Sequence, residues 1–241
     1  NGDHRNRRVL HRNLVLLLGR SANGVGISGS CSCRSCCRTS PKGSRLWRWR
    51  QALKVSLVLD ALFAAASDDA EIRRKTVSEL DLEKRIAELD KPVSAITALS
   101  AGPRIKIIAE IKRASPSMGE LAAIDDVALL AKTYEAAGAH AISVLTERTG
   151  FRGSLADLKT ASDSVNIPTL RKDFISSEYQ LLEARANGAS FALLILSWLT
   201  EADYRRLANF AHDIGLEVLT ETHTISEIEI ANNCGANLVG I

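Results

Sequence analysis

Three segments of this chain repeat one joint. AGAHAISVL (137–145), NGASFALLI (187–195) and CGANLVGI (234–241) each run Gly-Ala, then one or two linking residues, then an apolar stretch. Gly138, Gly188 and Gly235 fit the position just past a helix, where the backbone turns left-handed and glycine does so without steric cost. The same helix–turn–strand joint therefore recurs three times. Repeated βα units connect in a right-handed sense, which leaves two architectures: an open doubly wound sheet or a (β/α)8 barrel.

The surrounding pattern fits such units. Short runs rich in Ile, Val and Leu predict strands at about 105–111, 141–146, 167–171, 191–196, 216–221 and 237–241. They are apolar on both faces, as parallel strands covered by helices are. Helical spacing predicts helices over 125–138, 154–164, 177–188, 200–215 and 224–235. Thr200 stands just before Glu201 and Asp203, acids that favour the positive first turn of a helix. Ahead of the first strand, 68–89 predicts one or two amphipathic helices.

Charge placement separates the two architectures. Glu110 and Lys112, Glu147, Lys172 and Asp173, and Glu221 all stand at the carboxyl ends of different strands. In a barrel those ends converge on one mouth, whereas in an open sheet they spread along a line. Glu110 and Lys112 are two apart, so they face the same way. One such pair reads equally well as a structural ion pair. With Lys172 and Glu221 ending other strands alike, two lysines and two carboxylates would share one partly desolvated cup. Such a cup separates the proton affinities of its members and suits proton delivery and removal near neutral pH. In the loops that follow, Ser115 either hydrogen-bonds a substrate oxygen or caps the turn. Phe151 either walls an aromatic ligand or packs on the rim.

Composition matters mainly through its asymmetry. Residues 1–59 hold twelve Lys or Arg against one acid, Asp3, while the remainder holds 19 basic against 27 acidic residues. We therefore divide the chain into a basic Arg-, Ser- and Cys-rich leader, residues 1–58, expected to be disordered, and an organised region, 59–241. The leader reads as a transit peptide, a disordered tail, or a small metal- or nucleic-acid-binding module. Cys31, Cys33, Cys36 and Cys37 lack the second pair that structural zinc sites use. GVGISG (24–29) lacks the strand and helix that a dinucleotide fingerprint needs. Trp47 and Trp49 alternate with arginines. Cys234 reads as a buried apolar residue. The chain is 46% hydrophobic, and no apolar run approaches the ~20 residues of a membrane span. A reducing, cytoplasmic setting is expected, or an organelle if the leader is a transit peptide.

The segments IIAEIKRASPSMGEL, AISVLTERTGFRGSLADL, IPTLRKDFISSEYQLLEARANGASFALLIL and GLEVLTETHT, taken in order, resemble the indole-3-glycerol-phosphate synthase family over about residues 70–241. The resemblance implies a (β/α)8 barrel with an N-terminal helical extension. It implies ring closure of 1-(2-carboxyphenylamino)-1-deoxyribulose 5-phosphate, with loss of carbon dioxide and then water, to give indole-3-glycerol phosphate without cofactor or metal. By the same resemblance Lys172 is the general acid of ring closure and Glu221 the acid–base carboxylate of dehydration. Glu110 orients substrate and lysines, Lys112 contacts a substrate anion, and Ser115 and Phe151 line the substrate site. Partners would be this anionic phosphorylated molecule and, by fusion or association, other tryptophan-pathway enzymes; no nucleic acid or membrane is expected.

The family pattern continues past NLVGI with an Asn-Arg loop and two further strands whose glycine- and serine-bearing loops hold phosphate. About six of eight βα units are thus expected here, with low or no turnover from this chain. Two alternatives stand beside this reading. One is another phosphate-binding barrel, such as a phosphoribosylanthranilate isomerase. The other is an inactive barrel fragment with a basic nucleic-acid-binding arm.

Overall fold

The computed structural model describes residues 44–121 and 123–241, with side chains from residue 58 onward. The cysteine cluster, GVGISG and the rest of the leader to residue 43 lie outside the described residues, as do the Trp47 and Trp49 side chains. Helices α1 (Ser44–Arg74), α2 (Glu79–Ala87) and α3 (Ala95–Ser100) come first. β1 (Ile108–Ile111) follows, then a short antiparallel clip of β2 (Ala114–Ser115) and β3 (Gly119–Glu120). From there helix and strand alternate: α4 (Val127–Ala136), β4 (Ala141–Leu145), α5 (Leu155–Ser162), β5 (Thr169–Lys172) and α6 (Glu178–Ala186). The series continues with β6 (Phe191–Ile195), α7 (Glu201–Asp213), β7 (Glu217–Glu221), α8 (Ile225–Asn233) and β8 (Leu238–Gly240). Among the described residues no helix is long and apolar enough to cross a membrane.

The six longer strands form one parallel sheet in the order β1-β4-β5-β6-β7-β8. The sheet curls, giving the partial (β/α)8 barrel that the charges at the strand ends favoured over an open sheet. The joint itself is present: Gly138, Gly188 and Gly235 have φ of 93°, 84° and 77°. At Gly188 a side chain would be excluded by space as well, since a Cβ there would lie 2.4 Å from the Ser162 Oγ. Each outer helix also begins alike. Asp126, Ser154, Ser177, Thr200 and Thr224 occupy the N-cap and accept from a backbone N–H three residues on. Local chemistry thus sets the start of each outer helix and the exits of α4, α6 and α8.

Strand alternation builds two cores. Ile142, Val144, Ala192 and Leu194 face outward and pack with Leu158, Leu181 and Leu207 of the helices. Ile108, Ala141, Leu170, Phe191, Leu193, Leu219 and Leu238 face inward. Ala95 and Leu99 of α3 join this inner cluster from the end where the strands start. There Glu217 accepts from the Ser94 hydroxyl at 2.7 Å and the Ile96 N–H at 2.8 Å, so a carboxylate at the start of β7 clamps the start of α3. A third cluster, Ala70, Leu82, Tyr179 and Leu182, holds α1 and α2 against α6. β1 starts three residues later than its apolar run suggests; Ile105 is 69% exposed and Ile107 39%. The clip and α3 were not foreseen from sequence, because both are too short to show periodicity.

Candidate active site

One cavity of about 260 Å³ lies at the carboxyl ends of the strands. Glu110 of β1, Ser143 of β4, Lys172 of β5, Leu193 of β6, Glu221 of β7 and Gly240 of β8 all line it. β1 and β8 are opposite edges of the sheet, so only a curled sheet lets both wall one space. In this cavity the structure brings together Glu110, Lys172 and Glu221, three of the four acid–base candidates. The fourth, Lys112, joins through Glu110.

Glu110 is the centre of the charge arrangement. Its side chain is buried, and its two oxygens are divided between two ammonium groups: Oε1 lies 2.8 Å from Lys112 Nζ and Oε2 3.4 Å from Lys172 Nζ. Glu110 and Ser143 are register partners, and Lys172 stands on the strand beyond. The Glu110–Lys172 pair therefore reaches across β4. The Ser143 Oγ is buried and makes no hydrogen bond among the described residues. Tyr134 of α4 feels the same centre: burial first, and then the Glu110 charge, push its phenol above the usual value, so it stays protonated.

Glu221 stands across the cavity, with His223 Nε2 3.5 Å from its Oε1. The cup thus holds an anion between two cations on one wall and a carboxylate beside an imidazole on the other. Two ammonium groups attract an anionic molecule, and the carboxylates can take up or give protons to it. Among the described residues no group of three or more His, Cys, Asp or Glu is placed to hold a metal.

Ser115 and Phe151 do not line this cavity but lie on two loops tied together beside it. Ser115 pairs with Gly119 in the clip, and the neighbouring Ala114 N–H donates to the Phe151 carbonyl at 3.2 Å. Arg113 braces the clip through Asp157 and the Ile124 carbonyl. The Phe151 ring lies 6.1 Å from Phe174, Phe174 meets Phe63 of α1 edge-on at 5.2 Å, and Phe63 stacks on Trp198 at 3.8 Å. A row of aromatic rings from α1 and three loops thus edges the mouth.

Two charges expected at the mouth serve the scaffold. Glu147 accepts from the N–H groups of Thr149, Gly150 and Phe151 at 2.7–2.9 Å and shapes its own loop. Asp173 turns outward to Arg171 and the Thr146 hydroxyl. Strand alternation explains the second: Lys172 faces in, so its neighbours face out. His223, Ser143, Phe63, Phe174 and Trp198 were not singled out from sequence. His223 had a signal, standing two residues after Glu221, the spacing that joined Glu110 with Lys112.

Comparison with known proteins bears on this arrangement. The sequence model of the indole-3-glycerol phosphate synthase family matches residues 59–241. An indole-3-glycerol phosphate synthase of Leifsonia xyli subsp. xyli is 46% identical over 189 residues, covering 78% of this chain and 72% of the relative. That of Arthrobacter sp. (strain FB24) is 46% identical over 188 residues, covering 76% and 69%. That of Nocardioides sp. (strain ATCC BAA-499 / JS614) is 47% identical over 184 residues, covering 76% and 70%. With the acid–base cup at the carboxyl ends of its curled parallel sheet, the chain belongs to the indole-3-glycerol phosphate synthase family.

Proposed function

We propose that this cup carries the family's decarboxylating ring closure, converting 1-(2-carboxyphenylamino)-1-deoxyribulose 5-phosphate to indole-3-glycerol phosphate. The observation that supports it most is the Glu110 carboxylate held between Lys112 and Lys172 on the wall facing Glu221. Lys172 is only partly buried and reaches into the cavity, so it protonates the substrate carbonyl oxygen as the ring closes. Lys112 binds a substrate anion. Glu110 keeps both ammonium groups in place until the substrate takes them over. Glu221 gives a proton to the hydroxyl that leaves as water. Phe151 and Ser115, on the loops beside the cavity, close on the anthranilate ring and a substrate oxygen.

Both proton transfers use groups that already line the cavity, Lys172 and Glu221, so they need little reorganisation. The test follows the rise of indole fluorescence with the chain joined to the two further βα units of the family pattern, and with Lys172→Ala and Glu221→Gln in that background. Both substitutions abolish most turnover. Full turnover with either would remove that residue from its role.

A further inference from the structure

His223 lines the cavity with Glu110, Lys172 and Glu221, yet its side chain is 54% exposed. Its Nε2 lies 3.5 Å from Glu221 Oε1 and its Nδ1 3.9 Å from Glu227 Oε2. Glu227 Oε2 also accepts from the backbone N–H of His223 at 2.7 Å, which anchors the residue to the start of α8. The imidazole therefore stands between a carboxylate of the cavity and a carboxylate outside it. The charged groups that face it are Glu221 on its own segment, Glu227 on α8, and Glu110 and Lys172 across the cavity.

The proton balance of the proposed reaction gives this position a meaning. Two protons go onto the substrate, one on the carbonyl oxygen at ring closure and one on the departing hydroxyl. One proton comes off as the indole double bond forms and recharges Lys172, which ring closure left neutral. The substrate carboxylate leaves as neutral carbon dioxide, so each turnover takes up one proton net from solvent. Glu110 is 5% exposed and Lys112 17%, which makes them poor entry points. Glu221 and Lys172, at 29% and 31%, act on the substrate itself and are covered when it binds.

We propose that His223 is the proton entry of this site: its imidazolium passes the Nε2 proton to Glu221 Oε1, and the neutral ring regains a proton from bulk water. Glu221, now a carboxylic acid, protonates the departing hydroxyl. The present 3.5 Å gap closes by a small side-chain rotation or through one water. Glu227 orients the ring. This rests on the ring-closure reading, and His223 acts through Glu221, so it is a positioning and relay residue.

In the same extended background, the test compares wild type with His223→Asn, which keeps a polar side chain but cannot carry a proton at neutral pH. In weak buffer the variant loses about 10-fold or more in kcat while KM stays within about 2-fold, the mark of a lost proton transfer step. Added imidazole restores most of the loss in proportion to its concentration and leaves wild type unchanged. An unchanged kcat, or a loss that imidazole does not restore, overturns the proposal. Lys172→Ala is the separate control: if it turns over as well as wild type, the ring-closure reading fails. A second measurement needs no turnover. The His223 imidazole resonances move in Glu221→Gln if the two groups interact in solution, and unmoved resonances overturn the relay.

Discussion

Arg171 and Lys172 are adjacent on β5 and live in opposite worlds. Arg171 points outward and is fully buried. Its guanidinium donates to the Thr146 hydroxyl, Asp173, the Gln180 carbonyl and Glu183, at 2.5–3.3 Å. Glu183 in turn holds Arg73 of α1, so the network ties α1 to the barrel wall. Lys172 points inward, is about a third exposed, and has Glu110 at 3.4 Å. The outer charge is saturated with partners, as a buried ion must be to be tolerated. The inner charge keeps capacity to spare, as the role proposed for Lys172 requires. Ionic character alone therefore does not mark a functional residue; unfilled hydrogen-bonding capacity facing a cavity does.

The contrast can be broken by separating activity from stability. Lys172→Ala lowers kcat by about 10²- to 10⁴-fold, the usual worth of a general acid, while its urea midpoint stays close to wild type. Arg171→Met does the reverse. It leaves Asp173 buried without its cation and Glu183 with Arg73 alone, and costs about 3–5 kcal/mol of folding stability, read from urea unfolding. Equal stability losses in both variants would erase the distinction between the two faces.

Smaller effects sharpen it. A Cβ at Gly153 would lie 2.1 Å from the Leu145 carbonyl oxygen, so Gly153→Ala forces the loop off the end of β4. About 1–3 kcal/mol is lost in thermal unfolding, and Phe151, two residues earlier, is displaced. In the first turn of α7, the Thr200 hydroxyl and then Arg206 hold the Asp203 carboxyl below its usual value. A carboxyl lowered by folding contributes stability at neutral pH that is lost as pH falls through its folded value. Asp203→Asn therefore flattens the loss of stability below about pH 5, seen as urea midpoints that converge with wild type in acid. Least of all, Ser143→Ala removes a buried hydroxyl with no hydrogen-bond partner among the described residues and is neutral or stabilising by up to about 1 kcal/mol.

Much of this was legible beforehand, for reasons visible in single residues. The Gly-Ala joints and the N-caps act within a few residues of chain, so their signal is complete in the sequence. The meeting of Glu110, Lys172 and Glu221 could be argued because strand ends converge when a sheet closes on itself. What escaped was decided by partners far along the chain. Asp173 looks as free as Lys172 until Arg171 and Thr146 are placed around it. Glu217 and Glu221 are two acids four apart on one strand face, yet the first meets α3 and the second meets the cavity. The stacking of Phe63 on Trp198 joins residues 135 positions apart, and no periodicity reports such a contact.

The Glu110–Lys172 contact spans two strand intervals across β4, a separation set by how tightly the sheet bends. Were the sheet to flatten, the ammonium would be drawn off the carboxylate before any covalent step began. On the role proposed for Lys172, sheet curvature thus sets whether its ammonium stands beside its counter-ion or is released into the cavity.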